Sequence, residues 1–273
     1  MKARIIFSIL SLLAICNILN AQHFTSAGGA RAAAMARAAT AQSGFWSLQN
    51  NQAGLGFTER SALVCTYENR FLLKEIANKF VGLVFSTRSG TFGLSYQQYG
   101  YRLYSESIAG LSFGKKLAEN FAAGIRIDYL SCRFAEDYGS KGWISFQIGM
   151  LYQLNEKLSL GTHLAHPLQQ KTASVPDERL PSVLSFGLSY SFSKDLVFTI
   201  DTRKNSLHPL SFRSGMEYEI REKLFSRIGF SSNPARIAFG CGIGWGRMQL
   251  DIASTYQQLL GFSPAISLLY QFR

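Results

Sequence analysis

The sequence is poor in charge, in proline and in long apolar runs. Only 16% of its 273 residues are charged and only 6 are proline, whereas roughly a quarter of the residues in soluble domains are charged. A bundle of membrane helices would need several apolar stretches of about 20 residues. The single candidate runs from Ile5 to Ile15 at the N-terminus and is shorter than that. Both an ordinary soluble domain and a helical membrane protein are therefore disfavoured.

Cysteine and histidine are also scarce. Cys65, Cys132 and Cys241 lie far apart and form no CxxC pair, so the sequence predicts neither a disulfide framework nor a zinc site. We expect these cysteines to pack as small apolar residues. The histidines show no metal-ligand spacing; they are His23, His163, His166 and His208. We accordingly expect no metal ion and no cofactor.

The first residues have the layout of a secretory signal. Lys2 and Arg4 precede the apolar stretch, and Ala21 offers a small residue for cleavage. We therefore predict a signal peptide over residues 1–21 and export of the remaining chain. Its removal lowers the formal net charge from +11 to +9, because it takes away one lysine and one arginine.

Alternation with a period of two dominates the sequence from about residue 60 onward. Between residues 184 and 192, Leu, Phe, Leu, Tyr and Phe hold the even positions, and Ser and Gly hold the odd ones. Residues 144–154 and 210–221 show the same pattern. Successive side chains of a strand point to opposite faces, so each segment has one apolar and one polar face.

The alternation predicts about fourteen strands. They lie near residues 61–69, 79–87, 90–98, 104–113, 120–133, 142–154, 157–166, 182–192, 195–204, 209–220, 223–231, 235–244, 246–256 and 261–272. Most are long enough for a tilted membrane crossing of about 9–11 residues, and many apolar faces end in aromatic residues, as in membrane barrels. We predict an all-β fold, a transmembrane antiparallel barrel of about 14 strands.

The connections alternate between short and long, as they do in outer-membrane barrels. Compact polar turns are predicted at residues 88–90, 155–157, 193–195 and 221–223, and longer connections at residues 134–141 and 167–181. The last strand carries Ile266, Leu268, Tyr270 and Phe272 on one face. This stripe resembles the C-terminal sorting signal of outer-membrane barrels.

If the apolar faces contact lipid, the opposite faces point into the lumen. The charged residues of that set are Glu68, Arg126, Asp128, Asp201, Arg203, Arg213, Glu217, Glu219, Arg227, Arg236 and Asp251. They could line a selective aqueous pore, but they could also pair with one another and hold the interior together, which we favour because charges away from bulk water need partners.

Residues 22–59 precede the first strand and are rich in small residues. We predict that this segment folds into the lumen as a plug, with residues 60–273 forming the barrel, and that Arg31 and Arg37 meet lumenal carboxylates. The residues expected to form the plug are Arg31, Met35, Arg37, Asn51, Ala53, Gly54 and Leu55.

Two runs, Ala30–Met35 and Asn51–Leu55, resemble the "ARxxGMGGA … NPAGL" hatch of the FadL-like superfamily of fatty-acid-transporter barrels. The chain is most similar to the smaller PorV/PorQ branch associated with type IX secretion. Looser similarity continues at residues 215–218, 227–229, 251–253 and 260–264. Gln52 replaces the hatch proline, and Ala34, Ala36 and Arg37 stand where glycines are preferred.

Two sequence motifs resemble motifs of enzyme active sites. Residues 110–114 match the GxSxG nucleophile pattern, but that motif needs a turn between a strand and a helix, and here it lies within an alternating strand. Residues 240–246 are glycine-rich, yet their spacing is not that of a phosphate-binding loop and no helix follows. We therefore expect the chain not to be an enzyme.

The resemblance implies an accessory or scaffold subunit of a secretion or outer-membrane protein complex, in the outer membrane of a Gram-negative bacterium. The alternative is a FadL-like channel for hydrophobic small molecules, and a general water-filled porin is a third possibility. Expected partners are outer-membrane lipid and lipopolysaccharide and other outer-membrane or secretion-complex proteins. No nucleic acid is expected.

Overall fold

A computed structural model describes residues 28–134, 139–168 and 180–272 of the chain. Fourteen antiparallel strands follow one another in chain order and close into a barrel, with β1 paired to β14. The strands are β1 Ala62–Asn69, β2 Ala77–Thr87, β3 Gly90–Gly100, β4 Tyr104–Ala118, β5 Phe121–Phe134, β6 Ser140–Gln153, β7 Leu158–Ala165, β8 Val183–Ser191, β9 Leu196–Asn205, β10 Ser211–Arg221, β11 Leu224–Ser231, β12 Arg236–Trp245, β13 Met248–Gln257 and β14 Gly261–Gln271. The predicted fold and strand number are confirmed.

Each strand turns its apolar parity outward, as predicted. On β6, Ile144 is 61% exposed and Met150 51%, whereas the inward-facing Ser145 and Leu151 are buried. A closed barrel gives every strand two neighbours, so the backbone hydrogen bonds are satisfied without an open edge. No helix in the described ranges is long and apolar enough to cross a membrane.

The connections follow the prediction in part. Those after the even-numbered strands β2 to β12 contain two to four residues, and the one between β7 and β8 is much longer, but those after β3 and β13 contain only three residues. Most residues of the predicted long connections, at 134–141 and 167–181, lie outside the described residues. At the short-turn end the chain enters β1, where the hydroxyls of Ser86 and Thr91 donate to the carbonyl oxygen of Thr58. We call this the turn end of the barrel and the opposite end the loop end.

The structure differs from the prediction in two further places. Strand β4 continues to Ala118 instead of ending near residue 113, because its last residues pair with the beginning of β5. The connection between β1 and β2 contains two short 3₁₀ turns, Arg70–Leu72 and Lys74–Ile76. Neither region has the alternation that reveals a strand.

Residues 28–58, here called the N-terminal segment, contact the inner face of the barrel on two sides. A short helix α1, Gly29–Ala34, lies against β12, β13 and β14. A 3₁₀ helix at Gln52–Phe57 lies against β4, β5 and β6, and another covers Phe45–Leu48. The predicted signal peptide, residues 1–21, lies outside the described residues.

Candidate functional site

The contacts between the N-terminal segment and the inner wall form the candidate site. Arg31 of α1 donates two hydrogen bonds to the Glu217 carboxylate, Nε to Oε2 at 2.8 Å and Nη2 to Oε1 at 2.6 Å. Glu217 also accepts from Arg227, directly opposite on β11, and Arg227 donates to Asp251 at 2.8 Å. Burial alone would lower the pKa of Arg31, but the Glu217 carboxylate beside it raises this pKa above its ordinary value. The guanidinium is therefore firmly charged.

A second ion pair lies at the end of α1. Ala36 and Arg37 both have left-handed backbones, with φ of 50° and 64°, which costs energy for residues other than glycine. The Arg37 Nη2 atom lies 2.6 Å from Glu68 Oε1 on β1, and Arg70 Nε lies 4.0 Å from the same oxygen. Glu68 is buried, so the strained turn brings a cation to a carboxylate that has left bulk water.

Asp201 on β9 holds the backbone of the N-terminal segment. Its Oδ2 atom accepts hydrogen bonds from the amides of Ala39 and Thr40, both at 2.9 Å, and from the Thr40 hydroxyl at 2.7 Å. Sequence reasoning placed Asp201 in the lumen as a charge-pairing residue. Its contacts with the two amides carry no sequence signal, because any residue except proline at positions 39 and 40 supplies the same donors.

The Asn51 side chain ties the segment to β6. Its Nδ2 atom donates to the carbonyl oxygens of Thr40 at 2.7 Å and Met150 at 3.1 Å, and its Oδ1 accepts from the Ala53 amide. The neighbouring Gln52, which stands where the hatch motif that the segment resembles has proline, places its Oε1 atom 3.2 Å from His163 Nε2. The substitution thus adds a polar contact with β7 that proline could not make.

The remaining predicted plug residues pack without charge. Met35 is fully buried, and two glycines make room for it. A Cβ on Gly215 of β10 would lie 2.4 Å from the Met35 Cβ, and a Cβ on Gly229 of β11 would lie 2.4 Å from the Ala36 nitrogen. Ala53 packs beside Leu151, and Gly54 sits against Ser47. Leu55 belongs to an apolar cluster with Trp46, Leu48, Val64, Phe80, Val84 and Leu269.

A third group of polar residues lies on β5 and β6. Arg126 Nε is 2.6 Å from Asp128 Oδ1, and Gln147 Nε2 donates to the other carboxylate oxygen at 2.6 Å. Arg126 Nη1 also donates to the carbonyl oxygen of Leu48 at 2.7 Å. The side chain of Arg126, which was predicted to be lumenal, therefore contacts the backbone of the N-terminal segment.

The other predicted lumenal charges are not paired in this way. Glu219 accepts from the Lys223 amide at the turn end, and Arg236 donates to Gln257 at 3.1 Å. Within the described residues, Arg203 and Arg213 make no hydrogen bond and no ion pair, although both lie on the inward-facing parity of their strands. The structure thus brings most of the predicted charges together with a partner, but not these two.

The enzyme-like motifs have structural explanations. Ser112 lies within β4, buried and facing inward, and no helix follows it. In the glycine-rich run of β12, a Cβ on Gly240 would lie 2.7 Å from the Ala34 Cβ, and one on Gly242 would lie 2.2 Å from Asp251. These glycines make room for α1 and for an ion pair. Cys65, Cys132 and Cys241 are free, and the described residues contain no group of side chains suited to a metal ion.

The outer wall carries an apolar groove of about 530 Å³. It spans β2 to β6 and is centred on Ala109, whose small side chain stands between Tyr96 and Tyr129 in one cross-strand row. The other apolar residues that line it are Val81, Leu83, Leu94, Leu111, Ile127 and Ile144. A groove in the membrane-facing surface with this lining suits a hydrophobic molecule.

On the inner side of the same wall, the strands carry small residues. Gly82, Ser95 and Gly110 lie in one row across β2, β3 and β4. Leu48 of the N-terminal segment fills the adjoining space, since a Cβ on Gly82 or Gly93 would lie 2.4 or 2.3 Å from its methyl groups. A thin part of the wall therefore separates the outer groove from the inner apolar cluster.

Comparison with known proteins identifies the fold. No protein-family model and no curated protein sequence matches the chain. Among solved structures, the chain is similar to the toluene transporter TbuX of Ralstonia pickettii, with a TM-score of 0.72, 13% identity, and coverage of 90% of this chain and 98% of that one. It is also similar to the CymD monoaromatic hydrocarbon channel (0.70, 13%, 90% and 97%) and to a Pseudomonas aeruginosa FadL homologue (0.61, 11%, 90% and 98%). The chain therefore shares the barrel fold of these three proteins.

Proposed function

We propose that the protein is a channel for hydrophobic small molecules in the outer membrane of a Gram-negative bacterium, with the N-terminal segment as its plug. The observation that carries the proposal is the wall between β2 and β4. It has an apolar groove on its outer side, small residues on its inner side, and Leu48 fitted against two of its glycines.

This arrangement offers a hydrophobic molecule apolar contacts on both sides of one wall. The inner cluster around Leu48 and Leu55 excludes water, and the outer groove opens towards the lipid. Transfer between the two sites keeps apolar surface away from water, which is worth roughly 25 cal/mol per Å². The fold shared with transporters of toluene and monoaromatic hydrocarbons supports the same class of substrate for this chain.

Uptake of radiolabelled toluene into cells that lack such a channel tests the proposal. Expression of the full chain should raise the initial rate, and Ala109→Trp should reduce it by filling the outer groove. Cys241→Trp is the matched control, because Cys241 also points outward but lies on β12, away from the groove. Equal rates with and without the protein, or equal effects of the two tryptophans, would refute the proposal.

One observation favours the accessory-subunit interpretation instead. The N-terminal segment is held by ion pairs at Arg31 and Arg37 and by the Asp201 contacts, as expected of a lumen that is never opened. Co-purification of a larger complex from native outer membranes, together with no uptake of toluene, would support this second candidate. The fold shared with a toluene transporter and a monoaromatic hydrocarbon channel supports the channel instead.

A further inference from the structure

Among the described residues, the loop end of the lumen carries more positive than negative charge. Five arginines act electrostatically on one another there, and the carboxylates that act on them are Glu68, Glu106 and Asp201. The arginines are Arg37, Arg70, Arg203, Arg213 and Arg236. Because cations crowded in a space of restricted solvent access repel one another, the excess charge calls for an anion.

Two of these arginines have no partner in the described chain. Arg203 stands directly opposite Ser211, and Arg213 directly opposite Asp201. The Oδ2 atom of Asp201, however, is taken by the amides of Ala39 and Thr40 and by the Thr40 hydroxyl. Its Oδ1 atom lies beside Gly187 and makes no hydrogen bond with either arginine. Guanidinium groups that are half-buried yet make neither a hydrogen bond nor an ion pair present free donors to the lumen.

A buried hydroxyl beside them is also unsatisfied. Ser211 is 5% exposed, and its Oγ atom makes no hydrogen bond. Buried polar groups normally have a partner, so this hydroxyl beside the two arginines is available to a ligand. A hydroxyl can donate to the same anion that the arginines bind.

The register brings these donors within reach of one anion. Arg203 and Arg213 are diagonal neighbours on adjacent strands, roughly 7–8 Å apart and somewhat closer between their Cβ atoms. Arg213 and Arg236 flank the same Ser231, each one strand away, and are therefore roughly 10 Å apart. Three long side chains from three strands can converge from different directions, which suits a tetrahedral ligand with several acceptor oxygens better than a planar one.

We propose that Arg203, Arg213, Ser211 and Arg236 form a binding site for a tetrahedral oxyanion of the phosphate or sulfate type at the loop end of the lumen. All four residues lie on the inward-facing parity of their strands, so the site faces the lumen and not the head groups of the surrounding bilayer. The ligand is a free anion or the phosphate group of a soluble molecule.

The test is a titration of the full chain, purified in an uncharged detergent, followed by its thermal unfolding and by calorimetry. Sodium phosphate and sodium sulfate should raise the unfolding temperature in a saturable manner, whereas chloride or acetate at matched ionic strength should not. Glucose 6-phosphate distinguishes a soluble organic phosphate from a free anion. If the protein binds it more tightly than inorganic phosphate, the ligand is an organic phosphate; if it binds it more weakly, the ligand is the free anion.

The double variant Arg203→Gln and Arg213→Gln should bind phosphate at least tenfold more weakly. Arg88→Gln and Arg221→Gln together form the control, because they remove two positive charges near the turn end. If the double variant does not fold, Arg203→Lys keeps the charge, loses the paired donors and should still weaken binding. A phosphate effect no larger than that of chloride or acetate, or one unchanged in the Arg203 and Arg213 variants, would overturn the proposal.

Discussion

Arg31 of the short helix α1 and Glu217 of β10 are joined by two parallel hydrogen bonds of 2.6 and 2.8 Å, across 186 positions of sequence. Glu217 is simultaneously bound by Arg227, which continues to Asp251. The network therefore joins the N-terminal segment to three strands, β10, β11 and β13. Since charge-assisted pairs of this geometry are directional, they fix the position of α1, which has few large apolar side chains of its own.

Replacing Glu217 with Gln should destabilise the barrel and loosen the N-terminal segment. The substitution leaves Arg31 and Arg227 without their shared carboxylate. Breaking a fully buried pair costs roughly 3–5 kcal/mol, and because Arg31 is partly exposed we expect about 2–3 kcal/mol. Denaturant unfolding in detergent measures the loss of free energy, and limited proteolysis should cut the segment faster.

The matched control is Glu219→Gln on the same strand. Glu219 also faces inward, but its carboxylate contacts the Lys223 amide at the turn end. We expect a change below about 1 kcal/mol, because one hydrogen bond at a partly exposed site contributes little. Equal destabilisation by the two substitutions would contradict the role assigned to the Arg31–Glu217 pair.

Adding a methyl group at Gly229 should weaken the packing of the N-terminal segment. A Cβ there would lie 2.4 Å from the Ala36 nitrogen and from the Met35 carbonyl carbon, and backbone atoms cannot move aside as a flexible side chain can. We expect Gly229→Ala to cost about 1–3 kcal/mol, as overpacking does. The midpoint of denaturant unfolding measures this cost.

Gly244→Ala provides the comparison. Its Cβ would meet only the Lys223 side chain, at 3.0 Å or more. A flexible lysine at the turn end can yield by that amount, so the unfolding midpoint should change little. A larger effect at Gly244 than at Gly229 would show that the glycines of the inner wall do not serve to admit the segment.

The sequence reveals the barrel because each strand must satisfy lipid on one face and the lumen on the other. That requirement produces the alternation of apolar and polar residues, as in β8 and β10. Where the alternation stops, the end of a strand can no longer be predicted from the sequence. The end of β4 contains Gly114, Lys115 and Lys116, and only their pairing with β5 shows that the strand continues.

The pairing of the lumenal charges could not be predicted in the same way. Eleven inward charges and two segment arginines allow many combinations, and the choice depends on barrel register and on the path of residues 28–58. The turn at Ala36 and Arg37 illustrates the difficulty. Its left-handed backbone is typical of glycine, but here two other residues adopt it, and the turn directs Arg37 to Glu68.

Acidification should destabilise the protein through His166, just after β7. Its Nδ1 atom lies 2.7 Å from Ser145 Oγ. Burial lowers the pKa of His166 from 6.5 to about 4, opposed by the Asp128 carboxylate and assisted by Arg126 and Arg203. Between pH 6.5 and 4, His166 is therefore protonated in the unfolded chain but largely neutral in the folded chain. Stability is retained above about pH 6.5 and is lost as the pH falls towards 4, by up to about 1.4 kcal/mol per pH unit.

His166→Gln removes this contribution, because an amide does not titrate in that range. The free energy of unfolding of the variant should therefore depend less steeply on pH between 6.5 and 4 than that of the unmodified chain. Unfolding curves at half-unit pH intervals make the comparison. The same slope for both proteins would mean that His166 is not protonated on unfolding.

Shortening Leu48 should make the proposed channel faster while making the protein less stable. Leu48 is fully buried, and its methyl groups fill the space beside Gly82 and Gly93. Leu48→Ala removes this filling and should cost roughly 2–5 kcal/mol. It also opens space between the inner apolar cluster and the thin wall below the groove, so the initial rate of toluene uptake should increase.

Leu55→Ala separates the two effects. Leu55 is fully buried in the same cluster, but it lies near Gly114 rather than beside Gly82 and Gly93. It should lose similar stability without faster uptake, since no space opens at that wall. Uptake is compared at equal amounts of folded protein in the membrane. If both alanine variants accelerate uptake equally, general loosening of the N-terminal segment explains the effect, and the proposed route past Leu48 is wrong.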